Sequence, residues 1–168
     1  MSYDVMRRAP FPKQLLEALG LLFIRSQNLK VVLVDLCRIL TKADHSTETD
    51  IVYSDIDIGY AITLARSALT APQLSPRDQS KMQRTLDKIQ DLNRKKSNFE
   101  DGHWSMEIND REPGADLGII TLTKSPPGSK EEVTKITYQE ICDLILDYER
   151  LIFEVAAHCA HLELEKYT

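Results

Sequence analysis

The chain predicts a mainly α fold, a four-helix bundle with a small β-hairpin between the third and fourth helices, in one domain over residues 1–168. Three observations predict it. Apolar residues recur at helical spacing in four separate segments, and each segment opens on a proline or a side chain suited to capping a helix. Between the third and fourth segments the apolar period drops from about 3.6 residues to two, the mark of half-buried strands. A length of 168 residues allows one domain with a real core and is short for two.

In the first segment Pro12 serves as a first-turn proline. Leu15, Leu19, Leu22, Leu29, Leu33, Leu36 and Leu40 then follow helical spacing, giving a helix over residues 12–41. Its polar middle, Arg25-Ser26-Gln27-Asn28, reads as a kink or a partner-facing patch. Residues 42–50 are a polar loop. Ser54 is a candidate N-cap for a second helix in which Ile58, Ile62, Ala65 and Leu69 share one side, ended by Ala71-Pro72. Ser75-Pro76-Arg77-Asp78 is a sharp start signal, with a capping serine, a first-turn proline and an acid near the positive helix end. Met82, Leu86, Ile89 and Asn93 give a thin stripe for a third helix over residues 76–100, stopped by Gly102.

After that stop, Trp104, Met106 and Ile108 alternate with Ser105, Glu107 and Asn109, and Leu117–Thr123 reads as the returning strand past a turn at residues 109–114. A Pro-Pro-Gly loop at residues 126–128 leads to Thr137-Tyr138-Gln139-Glu140, which has the pattern of a capping box. The final helix carries the cleanest stripe: Ile141, Leu144, Ile145, Tyr148, Leu151, Ile152, Val155, Cys159 and Leu162.

An apolar share of 42% with 28% charged residues is ordinary for a globular protein, and the net charge of −5 argues against a general nucleic-acid coat. The charge is nonetheless uneven. Residues 77–96 carry seven Lys or Arg against three acids, whereas residues 131–168 carry nine acids against three Lys or Arg. This pattern reads as two solvated helix faces of opposite sign that lie against each other, or as a basic ligand-facing groove. Cys37, Cys142 and Cys159 are odd in number, far apart and set in apolar helical patterns, so buried thiols in a reducing compartment are expected. No signal-peptide pattern or membrane-length apolar run is present, and the expected location is cytoplasmic.

The segment Leu92-Asn93-Arg94-Lys95-Lys96-Ser97-Asn98-Phe99-Glu100-Asp101-Gly102-His103-Trp104 closes the basic helix and holds the only tryptophan. It resembles the motif-bearing helix end of the HEPN-like helical-bundle superfamily, whose uncharacterised bacterial branch reads roughly Arg-Arg-Asn-x-x-x-His-Gly-x-Trp. Without gaps, the glycine and tryptophan fall on Gly102 and Trp104, while Lys96, Ser97 and Asp101 stand where the motif has Arg, Asn and His. Leu15–Gly20 and Tyr138–Ile141 look like the openings of the corresponding helices, and the shared layout covers residues 13–162. The resemblance implies a helical bundle that pairs through its motif-bearing helices. In active members it also implies RNA cleavage, with the histidine moving the proton of a ribose 2′-hydroxyl and the arginine supporting phosphate charge. Lys96 keeps the positive charge without the planar fork of arginine. Asp101 is a weak base at neutral pH and repels phosphate, and the two could simply form a local ion pair.

Arg94, Lys95, Lys96, Asp101 and His103 are therefore the ligand-binding candidates, and Gly102 and Trp104 the structural part of the motif. His103 lies past the helix stop and is read as a neighbour of Trp104, and Trp104 as a core anchor. Glu154, His158 and His161 share one helical face, a spacing a metal site can use; the favoured reading is an exposed polar edge beside Val155 and Cys159, with no metal. The expected function is a non-catalytic helical binding protein without a cofactor, acting as a homodimer on RNA, a nucleotide or a protein partner and away from membranes. The apolar surplus of the first helix (Leu15, Leu16, Leu21, Leu22, Phe23, Ile24) supports the dimer. Two other readings stand beside it. One is a weak or specialised metal-independent ribonuclease using Lys96, Asp101 and His103; the other is an immunity or antitoxin-type protein whose acidic last helix docks a basic partner.

Overall fold

A computed structural model describes residues 12–42, 56–70, 74–100, 103–107, 119–124 and 132–164. Among them are four helices, α1 (Lys13–Thr41), α2 (Ile58–Ala68), α3 (Pro76–Glu100) and α4 (Tyr138–Leu164). The chain is mainly helical.

The caps explain where these helices begin. At α3, the Ser75 hydroxyl accepts from the Asp78 amide at 3.2 Å and donates to the Asp78 carboxylate. At α4, the Glu140 amide donates to the Thr137 hydroxyl at 3.1 Å, while the Glu140 carboxylate accepts from the Thr137 amide at 2.6 Å. That reciprocal pair satisfies two amides that have no partner inside the helix. The cap of α2 is Asp57, whose carboxylate accepts from the Tyr60 amide at 2.7 Å. Ser54, the candidate cap in the sequence, lies outside the described residues, and α2 starts four positions beyond it. α1 runs unbroken through Arg25–Asn28. The helix gives way at Lys42, whose φ of 54° is the left-handed turn common after a helix end.

Among the described residues, three strands lie between α3 and α4: β1 (His103–Glu107), β2 (Ile119–Lys124) and β3 (Glu132–Ile136). Their backbones pair antiparallel in the order β1-β2-β3, with His103 opposite Thr123 and Ile120 opposite Ile136. β3 is additional to the two strands expected from the sequence, and its Val133, Thr134 and Ile136 are β-branched residues that favour a strand. The turn at residues 109–114 and the loop at 126–128 lie outside the described residues.

The chain divides into two compact units. One comprises residues 1–23 and 96–146, and it buries Leu15, Ala18, Leu22, Ile136, Ile141, Leu144 and Ile145. The other comprises residues 24–95 and 147–168 and holds segments of all four helices. Within it, the Cys37 thiol of α1 donates to the Ala61 carbonyl of α2 at 3.3 Å. Arg66 of α2 donates to Asp87 of α3 at 2.6 Å and to Gln90 at 2.8 Å. Thr85 of α3 donates to Glu154 of α4 at 2.7 Å. Arg25 of α1 closes the ring on Glu149 of α4 at 2.8 Å.

These contacts also fix direction. Arg25 meets Glu149 and the Val32 carbonyl faces the Cys159 thiol, so α1 and α4 run the same way. Thr85 meets His158 and Asp78 meets His161, so α3 runs against α4. The ring encloses Leu29, Leu33, Leu36, Met82, Leu86, Ile89, Tyr148 and Val155, each at most 1% exposed. Leu92 completes the α3 stripe where the sequence reading places Asn93, which is half-buried.

Candidate functional site

The chemistry-bearing side chains of the second unit gather along the seam of α3 and α4. Met82, Leu86 and Ile89 turn one face of α3 inward, and this carries Thr85 inward with them. Thr85 is 1% exposed, so its hydroxyl requires partners. It has them on α4: Glu154 Oε1 at 2.7 Å and His158 Nε2 at 3.1 Å. A carboxylate only accepts, so the hydroxyl donates to Glu154. Its lone pair then accepts from His158, which places the imidazole proton on Nε2. Lys88 Nζ closes the cluster with contacts of 3.0 Å to both Glu154 oxygens.

The titration of the cluster follows from this geometry. Partial burial works to raise the Glu154 pKa, but the Thr85 hydroxyl and the Lys88 ammonium outweigh it and hold the carboxyl below its ordinary value. Burial lowers the pKa of His158 most, with Lys81 and His161 adding to it and Glu154 opposing it. His158 is therefore kept neutral, matching its role as a neutral donor. One turn from the α3 start, the Ser75 hydroxyl holds the Asp78 carboxyl below its ordinary value. Asp78 also lies 3.8 Å from both Lys81 and His161.

Glu154, His158 and His161 thus share a helical face as their spacing implies, but they turn to α3 rather than to a common ion. Glu154 and His158 are half-buried rather than an exposed edge. Among the described residues no group of three or more His, Cys, Asp or Glu side chains is placed to hold a metal.

Toward the far end of the seam lies an open groove of about 340 Å³. Leu92 and Leu151 form its floor, and Lys88, Asp91, Lys95, Asp147, Arg150 and Glu154 its rim. Three cations and three acids balance there. Arg150 pairs with Asp147 at 3.3 Å, and Arg94, just outside, pairs with Asp91 at 3.2 Å.

The sequence candidates separate. Lys95 is exposed on the groove rim, Arg94 is exposed and held by Asp91, and Lys96 is half-buried and belongs to the other unit. Asp101 and Gly102 lie outside the described residues. His103 and Trp104 contribute backbone to β1, and their side chains are likewise outside the description. Thr85 is the residue that sequence reasoning missed. Its signal was there, since it stands three residues after Met82 and four before Ile89, on the buried side of α3.

The cysteines are free thiols. Cys37 is buried as expected, whereas Cys142 and Cys159 are half-buried. Burial pushes Cys37 up to about 12 and Cys159 up to about 11, which makes both poor nucleophiles. Among the described residues no helix is long and apolar enough to cross a membrane. A scan against protein-family models and searches of curated proteins and of solved structures each gave no match.

Proposed function

We propose that the chain is a non-catalytic, HEPN-like helical binding protein that works as a homodimer. The observation that carries the homodimer is an uncovered apolar face on α4, while the HEPN-like part rests on the resemblance of residues 92–104. Phe153 is 75% exposed and Leu164 68%, and the exposed Ala157 and Ala160 lie between them on the same side of the helix. Small residues between two large ones let a second helix approach closely, with the large ones packing around it. α1 adds exposed apolar side chains at Ile24 and Val31 in the same unit. The non-catalytic part is supported by the seam chemistry. The Thr85 hydroxyl is buried, and His158 spends its Nε2 proton on it, so the polar cluster serves packing.

The commitment to a second copy follows from the geometry of a two-fold contact, in which Phe153 of each chain is buried by the same operation. Covering one such ring is worth roughly 1.5–3 kcal/mol, and a two-fold contact covers two. Sedimentation at micromolar concentration should therefore find a dimer. Phe153→Glu should weaken it at least about a hundredfold, equivalent to roughly 2.7 kcal/mol, with circular dichroism unchanged. A wild-type protein that sediments as a 19.2 kDa monomer removes the reading.

A further inference from the structure

We propose that the outer face of α3 binds the phosphate backbone of a single nucleic-acid strand. Arg77, Lys81, Arg84, Lys88 and Lys95 follow one another at steps of four, three, four and seven residues. At about 100° per residue those steps return each side chain to within about 40° of the same line along the helix. All five are exposed, and all five belong to the second unit. The line is about 27 Å long at 1.5 Å per residue.

Its charges are unequally spent. Lys88 is held by Glu154 and Lys81 lies 3.8 Å from Asp78. Arg77, Arg84 and Lys95 make no ion pair among the described residues. The one acid on the line, Asp91, is neutralised by Arg94 at 3.2 Å. A row of cations therefore remains whose ends and centre await an anion.

The shape of the row selects the anion. It is one side chain wide, with Asp87 on its outer flank and Asp147 and Glu154 across the groove. A broad anionic surface such as a membrane would press against those acids. The large exposed apolar residues of the second unit lie on α1, α2 and α4, and none lies on this line to enter a bilayer. A linear polyanion one strand wide meets the cations and clears the acids.

At about 3.4 Å per stacked nucleotide the row spans about eight nucleotides, inside the range of about 4–16 used by single-strand modules. Arg77 and Arg84 bring forks that grip two phosphate oxygens at once. No aromatic side chain lies along the row, so recognition is of phosphates, without preference for sequence. The net charge of −5 does not prevent this, because screening confines each charge to about 8 Å at physiological ionic strength. The inference concerns α3 alone and does not depend on self-association.

Fluorescence anisotropy with labelled oligo(dT) and oligo(rU) of about twelve nucleotides tests it. Three to five phosphate contacts give a slope of log affinity against log salt of about −2 to −3.5. The variant Arg77→Gln/Arg84→Gln/Lys95→Gln should reduce that slope by about 2 and lose at least about tenfold in affinity at low salt. Its circular dichroism should be unchanged, because all three side chains are exposed. Lys13→Gln, an exposed cation on α1, should bind as wild type. The proposal is overturned if wild type does not bind at low salt, or if the triple variant keeps affinity and slope. It also fails if polyglutamate of equal charge displaces the strand as well as unlabelled oligonucleotide does. Sedimentation of the same samples reads the dimer separately, so each reading can fail alone.

Discussion

Replacing Thr85 by valine isolates the hydroxyl at the centre of the α3–α4 seam, because the two side chains have nearly the same shape. The hydroxyl donates to Glu154 at 2.7 Å and accepts from His158 at 3.1 Å. A hydrogen bond to a charged group is worth roughly 1.5–3 kcal/mol. Glu154 is 36% exposed and keeps both Lys88 contacts, so water and the ammonium recover part of that loss. His158, half-buried, is left with an unsatisfied Nε2 proton, which works in the opposite direction. The expected cost is therefore about 1.5 kcal/mol, or about 3–6 °C in Tm for a domain of this size. Thermal melts at neutral pH measure it. A double-mutant cycle with Glu154→Gln should return a coupling of about 1 kcal/mol. A Thr85→Val protein that melts with or above wild type would refute the argument, because the hydroxyl would then be contributing nothing that a methyl does not.

Two further variants address local parts of the structure. His158 has a pKa lowered by burial, so the folded protein prefers its neutral form. The charged and titratable groups facing it are Glu154, Lys81, His161 and Asp78. Its stabilising contribution is complete above the ordinary value of 6.5 and is lost as the pH falls through the lowered folded value. Between about pH 6.5 and 5, a window that avoids the carboxylates, wild type should lose stability more steeply than His158→Gln, which keeps a donor for Thr85; parallel Tm-versus-pH curves would count against it. Thr137→Ala removes one half of the α4 capping box and should cost about 1 kcal/mol, seen as a fall of about 2–4 °C in Tm. An unchanged melt would mean that water caps α4 as well as Thr137 does.

How legible each part was depended on how far the chain must look for its partner. Ser75 with Asp78 and Thr137 with Glu140 satisfy one another within a single turn, and sequence spacing is enough to find them. The buried stripes of α3 and α4 were legible because a helix repeats its inward face every three or four residues. The same rule failed at finer grain where neighbours compete. Leu92 is inside where Asn93 was expected, because it lies nearer the direction of α4. α2 begins at Ile58 because Asp57 caps it, its carboxylate reaching the free Tyr60 amide.

The sequence by itself determined four helical segments, the caps of α3 and α4, and the opposite charges of residues 77–96 and 131–168. It did so because those are properties of one turn of chain or of composition. Only the tertiary structure decided what those charges meet. Glu154 and His158 turn to Thr85 across 69 and 73 residues of chain, and His161 approaches Asp78. Spacing on α4 alone fits a metal site, an exposed edge or a helix seam equally well. The order of helices around the core chose among them, by setting a buried hydroxyl opposite a carboxylate and an imidazole that it could satisfy.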